Sequence, residues 1–302
     1  MNTIEAFEND ILLQLPFLQQ IQTKKILSKL KQKKSIFCGT GDSFAAALLA
    51  EAFSNYTVRA ADPLDLIKNP DIVRHKDVYL VSISGNTVSN KKLAKIAKKS
   101  VAITSNTKSK LAMTCSNLIN LQFPNSGVFT SGSIGFLAST IVCISLVHKI
   151  KIKNIYDLFE QAVKVSNKIQ IGKKIFFLGN MNTYPIAMYA AAKIYEVLGM
   201  EAYYERIEQF LHMGLFSVSR GDTVILFEGK NQHNQKISKN LKKSGVKFFR
   251  IDSERKNKFE QVIFCTFVAQ IISLILAKKN HQKECYFVTA KKLRNASSNM
   301  IY

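Results

Sequence analysis

"DVYLVSISGNT", residues 77–87, begins as an apolar run and ends in two serines, a glycine, an asparagine and a threonine. The run reads as a buried strand, and the Lys-studded stretch from Val88 to Lys99 reads as the helix that follows it. Between them lies a turn suited to an anion. Backbone N–H groups at a helix start converge there with side-chain hydroxyls. The competing reading is one helix cap followed by a polar turn. A cap needs a single hydroxyl, whereas Ser82, Ser84 and Thr87 cluster here with Gly85 and Asn86. The anion cradle is the better reading.

The same alternation extends outward. "SIFCG" (35–39) reads as a strand, and "DSFAAALLAEAF" (42–53) as a helix opened by an acidic cap at Asp42. "YTVRAA" (56–61) and "VAITS" (101–105) read as further strands. Strands separated by helices predict an α/β fold with parallel sheets and helices on both faces. The second half then repeats the order. "KIFFLGNMNTYPIAMYAAAKIYEVLG" (174–199) mirrors 35–53, and "DTVILFEGKNQHNQKISKNLKKSGVKFFRID" (222–252) mirrors 77–104, roughly 140 to 145 residues on. This predicts an internal duplication. It divides the chain into an N-terminal helical segment 1–33, a first domain 34–150 and a second domain 151–302, with helix 155–169 as the connector. At the matching turn the second copy has Glu228-Gly229-Lys230-Asn231, so one anion site per chain is expected, in the first copy.

Composition narrows the class. The 302 residues are 47% hydrophobic and 21% charged, ordinary for globular domains. The net charge of +22 invites a nucleic-acid reading. Only 7 of the 43 basic residues are Arg, the Lys residues are spread along the chain, and Trp is absent, so no specific nucleic-acid partner is expected. Five widely spaced cysteines, with no Cys-x-x-Cys pair, predict reduced thiols in a cytoplasmic protein and no zinc site. "MNTIEAFEND" lacks the basic start of a signal peptide. The apolar run "VIFCTFVAQIISLILA" (262–277) is short and interrupted by Thr266, Gln270 and Ser273, which predicts a buried helix and no membrane span.

Two more clusters suit the same ligand. "CGTGDS" (38–43) begins like a dinucleotide fingerprint, but Phe44 stands where a third Gly or Ala belongs. "FTSGS" (129–133) opens a long apolar helix with Thr130, Ser131 and Ser133. Clusters that face one edge of a parallel sheet suit a phosphate monoester.

These residues resemble the SIS (sugar isomerase) domain family, above all the isomerase half of the glucosamine-6-phosphate synthases, which is two such domains in tandem. "FCGTGDS" is similar to the family's Cys-Gly-Thr-Ser turn, and "SISGNT" to its Ser-x-Ser-Gly-Glu/Asn-Thr motif. "FTSGS" is loosely similar to Val-Ala-Ser-Thr. "YPIAMYAAAKIYE" resembles its Tyr-Pro-Ile-Ala…Lys-x-x-Glu helix. The likeness spans roughly residues 34–290. It implies two tandem flavodoxin-like domains. It further implies a sugar phosphate approached by Thr40, Ser43, Ser82, Ser84, Gly85, Asn86, Thr87 and Ser131, with Cys38 and Gly39 shaping the turn.

The resemblance also implies chemistry. Glu196 matches the family's base and Lys193 its Lys, and His212 falls sixteen residues after Glu196, the family's spacing for the ring-opening His. A carboxylate is the right group to move a proton between C1 and C2 of a hexose phosphate. Without the family, Lys193 and Glu196 read as a surface ion pair and His212 as a core histidine. The family's Lys-His-Gly-Pro is "LHMGL" here, and Ser298 stands where the family's C-terminal Lys falls. No glutaminase domain is read before residue 34, so delivery of ammonia from glutamine is not expected of this chain. The expectation is an aldose–ketose isomerase of hexose 6-phosphates, working without metal or cofactor. Glucosamine-6-phosphate deamination, an ammonia-dependent synthase-like reaction and a non-catalytic sugar-phosphate sensor are the alternatives. A homodimer is expected, with His212 completing the neighbour's site and the apolar helices near 134–147 and 262–277 as surface to bury. Glu196→Gln is expected to leave folding unchanged.

Overall fold

The computed structural model describes residues 1–301; Tyr302, at the end of the second domain drawn from the sequence, lies outside the described residues. The fold is α/β with two parallel sheets. Contacts group the chain into two compact units, and neither is contiguous.

One unit comprises residues 20–125, 132–150 and the chain from Ala290 onward. Its strands are β1 (Ser35–Cys38), β2 (Arg59–Ala61), β3 (Asp77–Val81), β4 (Lys99–Thr104) and β5 (Asn117–Asn120), in the order β2-β1-β3-β4-β5, all parallel. β1 is buried at every position, as a strand covered on both faces must be. Ile36, Cys38, Val78, Leu80 and Ala102 pack on one face against Leu66, Leu93 and Leu111. Phe37 and Tyr79 stack together with ring centroids 4.7 Å apart. The helices Asp42–Phe53 and Ile134–Ser145 pack against each other.

The other unit comprises residues 1–19, 126–131 and 151–289. Its strands are β6 (Ile175–Leu178), β7 (Ala202–Glu205), β8 (Thr223–Leu226) and β9 (Lys247–Arg250), parallel and ordered β7-β6-β8-β9. This is the first sheet's pattern without its fifth strand. The repeat extends to single contacts. A Cβ on Gly39 would sit 2.6 Å from the backbone of Ser43, and one on Gly179 would sit 2.6 Å from the backbone of Thr183.

Several expectations shift. The chain enters β2 only at Arg59, because Asn55 and Tyr56 take positive φ (52° and 60°) and turn it first. The helix from Val88 stops at Ile96, and β4 starts at Lys99. Asp42 is no cap: the N-cap is Gly41 (φ 56°), and Asp42 is the first helical residue. Helix Thr3–Gln19, drawn from the sequence as part of a separate segment, packs in the unit of residues 151–289, where Gln14 Nε2 donates to Gln270 Oε1 at 2.8 Å. Residues 126–131 join it, with Ser126 N–H donating to Asp10 Oδ1 at 2.6 Å and Thr130 Oγ1 to the Thr3 carbonyl at 2.7 Å. Helix Lys258–Lys279 is long and apolar enough to cross a membrane, yet 83% of its most apolar window is buried within the protein, as in a core helix. It and Ile134–Ser145 are buried at nearly every position, so the apolar surface expected to meet a second chain is largely covered within this one.

Candidate active site

In the five-stranded unit, β1 and β3 are neighbours and their following turns flank the point where the strand order reverses, the usual ligand edge of such sheets. The turn after β3 is stitched from beneath. Ser82 is buried, and its Oγ accepts from the Gly85 N–H at 3.1 Å and lies 3.4 Å from Thr87 Oγ1. Thr104 Oγ1 and Ser105 Oγ both donate to the Ile83 carbonyl at 2.9 Å, and Asn106 Nδ2 donates to the Ser84 carbonyl at 3.3 Å. Gly85 has φ 65°, and a Cβ there would meet Ser109 Oγ at 2.1 Å, so only glycine fits. Ser84 Oγ accepts from the Asn86 N–H at 3.3 Å. Ser84 and Thr87 are half-buried and Asn86 is exposed. Thr87 precedes helix Val88–Ile96 without capping it, so the first-turn N–H groups keep their capacity for an anion.

The turn after β1 adds exposed Thr40 and half-buried Ser43, whose N–H donates to the Thr40 carbonyl at 3.1 Å. Cys38 lies fully buried beneath it; burial, and then the nearby charge of Asp62, push its thiol far up.

In the other unit Lys193, Glu196 and Ser131 form a triangle. Lys193 Nζ donates to Glu196 Oε2 at 2.6 Å and to Ser131 Oγ at 3.0 Å, and Ser131 Oγ donates to Glu196 Oε2 at 2.7 Å. The Lys193 side chain is 0% exposed and that of Glu196 38%. This is no surface ion pair. Both contacts fall on Oε2; Oε1 has no protein hydrogen bond among the described residues. Glu196 sits in a π-helical turn, Ile194–Leu198, that continues helix Tyr184–Lys193 and ends at Gly199 in the left-handed region (φ 65°). Such turns gather at functional sites because they re-aim one side chain. Ser131, grouped by its sequence with the phosphate-binding hydroxyls, is placed by the structure in the unit of Glu196 and bonded to it.

Three residues behind the triangle escaped the sequence reading. The Tyr189 ring lies 4.9 Å from Lys193 Nζ. The Tyr189 hydroxyl accepts from Gln270 Nε2 at 2.9 Å, and Gln270 Oε1 accepts from Gln14. All three are fully buried. Their one trace in the sequence is Gln270, a polar break in an apolar run.

His212 ends helix Ile207–His212 with its side chain 78% exposed, which excludes a core histidine. Its Nε2 lies 3.8 Å from Glu208 Oε2, and His233 Nε2 lies 3.5 Å from Glu208 Oε1. It is not part of the Lys193–Glu196–Ser131 triangle. Among other carboxylates, Glu201 bonds the Tyr203 hydroxyl, and burial holds the Glu205 carboxyl above its usual range. Among the described residues no group of three or more His, Cys, Asp or Glu is placed to hold a metal ion.

The family described as SIS domain matches residues 168–277. Solved structures share the fold over nearly the whole chain. A glucosamine-6-phosphate deaminase from Thermotoga maritima is 19% identical with a TM-score of 0.71, over 93% of this chain and 95% of that one. A tagatose-6-phosphate ketose/aldose isomerase from Escherichia coli is 17% identical with a TM-score of 0.67, over 93% and 91%. The C-terminal domain of glucosamine-fructose-6-phosphate aminotransferase from Francisella tularensis is 17% identical with a TM-score of 0.64, over 91% and 93%. No curated protein matches. At such identities the likeness is one of fold.

Proposed function

We propose that the chain is a metal-free, cofactor-free phosphosugar isomerase built from two tandem flavodoxin-like SIS domains. Its substrate is a hexose 6-phosphate of the glucose, mannose or fructose class. The observation that carries this reading is the Glu196 carboxylate, clamped at Oε2 by buried Lys193 and Ser131, with no hydrogen bond at Oε1 among the described residues and a side chain 38% exposed. A general base must be fixed, charged and accessible.

In this mechanism the phosphate is taken by Thr40, Ser43, Ser84, Asn86, Thr87 and the N–H groups of the two turns, over the frame of Cys38, Gly39, Ser82 and Gly85. Glu196 removes the proton from C2 of the open-chain aldose, leaving an enediolate. It returns that proton to C1, and proton exchange between the two oxygens completes the ketose. Lys193 and Ser131 hold the carboxylate on line. His212 opens the sugar ring, and in a homodimer it serves the partner's site. Exposed Met213 (62%) and Phe216 (85%), on the loop after His212, support such an interface. The five free cysteines support a cytoplasmic setting.

Deamination of glucosamine 6-phosphate is the second reading. It uses the same phosphate cradle and base, and the Thermotoga maritima structure of the same fold bears that name. A coupled assay of fructose 6-phosphate and glucosamine 6-phosphate turnover, with and without ammonia, separates the two. Turnover of neither, with tight binding of both, would replace catalysis by sensing.

A further inference from the structure

Helix Val88–Ile96 packs against the short helix Lys110–Thr114, and a cleft of about 410 Å³ lies along them. Four lysines line it: Lys91, Lys92 and Lys95 from the first helix and Lys110 from the second. The first three recur at helical spacing with Val88, so they share one face. No carboxylate lines the cleft, and none of the four ammonium groups has an ion-pair partner among the described residues. Val88 and Met113, the latter 70% exposed, supply apolar wall.

Like charges at i and i+4, as in Lys91 and Lys95, repel and destabilise their own helix. A concave surface of one sign focuses its potential and collects counter-ions. The volume falls within the range of small-molecule sites, roughly 300–1,000 Å³. Lysines act as separate point charges, so four of them spread along a cleft match several anionic groups better than one. The cradle at residues 82–87 is the opposite design, with hydroxyls and amides around a single phosphate and no lysine.

We propose that this cleft binds an organic polyphosphate: two or more linked phosphates joined to an apolar ring, as in a nucleoside triphosphate. The phosphates lie along the lysines and the ring against Val88 and Met113. Val88 directly follows Thr87, so the occupant grips the helix whose N-terminus carries the cradle and regulates what binds there.

The test is titration calorimetry with ATP, tripolyphosphate and inorganic phosphate at roughly physiological salt, about 0.15 M. Wild type is compared with Lys91→Gln/Lys95→Gln/Lys110→Gln. The control is Lys236→Gln/Lys239→Gln/Lys243→Gln, which removes equal charge from the corresponding helix of the other unit. The cleft variant should weaken ATP at least tenfold and leave inorganic phosphate unchanged, while the control stays within twofold of wild type. Thermal unfolding checks both variants, and Lys92→Glu alone should weaken ATP in the same direction if the triple variant folds poorly. Equal losses in both triple variants would make the effect one of diffuse charge and overturn the proposal, as would no ATP binding by wild type. Cleft-dependent binding of an oligonucleotide without binding of ATP would replace the small molecule by a nucleic acid.

Discussion

Glu196→Gln keeps the shape of the side chain and removes the negative charge 2.6 Å from the Lys193 ammonium. Breaking a buried ion pair from one side costs about 3–5 kcal/mol, and an exposed pair is worth about 0–1 kcal/mol. Here the cation is 0% exposed and the anion 38%. An intermediate cost of about 2 kcal/mol follows, which lowers the melting temperature by about 4–8 °C for a domain of this size. This replaces the expectation of unchanged folding, which rested on the near-equal volume of Glu and Gln and left out the buried cation beside it. Lys193→Met added to Glu196→Gln should recover part of the loss, since methionine fills the lysine stem and removes the buried cation that has lost this carboxylate. Calorimetric melting of wild type, both single variants and the double variant measures this. A Glu196→Gln protein that melts with wild type, or a double variant that melts below it, refutes the argument. Assayed well below its melting temperature, Glu196→Gln should lose about 10²–10⁴-fold in turnover.

Gly85→Ala should cost about 2–4 kcal/mol in urea unfolding, from left-handed backbone strain and the contact with Ser109, and should abolish sugar-phosphate binding. Tyr189→Phe leaves the buried Gln270 amide without its acceptor and should cost about 1–3 kcal/mol by the same measurement. Burial raises the Glu205 carboxyl above its ordinary 4.5, so the folded state favours the neutral form. The stability tied to Glu205 is then full below that value and falls as pH rises through the raised one. Glu205→Gln should therefore be more stable than wild type at neutral pH and equal to it at about pH 3–4 in chemical denaturation. Alkylation of the native protein, read by mass spectrometry, should label half-buried Cys115 first and spare Cys38, Cys143 and Cys265, which are buried with thiols pushed up.

β1 to β4 and, through the repeated order, β6, β8 and β9 were legible as short runs closed by a Gly or a polar turn, whereas β5, mostly exposed Asn-Leu-Ile-Asn, and β7, Ala-Tyr-Tyr-Glu, carry no such pattern. Gly39 and Gly179 mark the same close approach of turn to helix in both sheets. The 82–87 turn was legible because its hydroxyls exceed what a cap requires. Other features were not. Residues at i and i+3 look alike on a wet face and in a core, so the burial of Lys193 left no trace. Ser131 lies between two sequence neighbours of similar chemistry, Thr130 and Ser133, and only packing assigns it to Glu196. The π turn has no pattern of its own; it shows only where backbone bonds shift by one residue.

Helix Thr3–Gln19 is held by partners far along the chain: the Thr3 hydroxyl donates to Glu284 at 2.6 Å across 281 residues, and Gln14 meets Gln270 across 256. On the ribosome this helix emerges long before its seat exists. At roughly 5–20 residues per second it waits about 15–55 s for Glu284. During that interval Phe7, Ile11 and Leu18, all buried in the finished protein, have nowhere to go. A stop codon before Lys258 would remove Gln270 and Glu284 together, and the chain it released would leave this helix undocked.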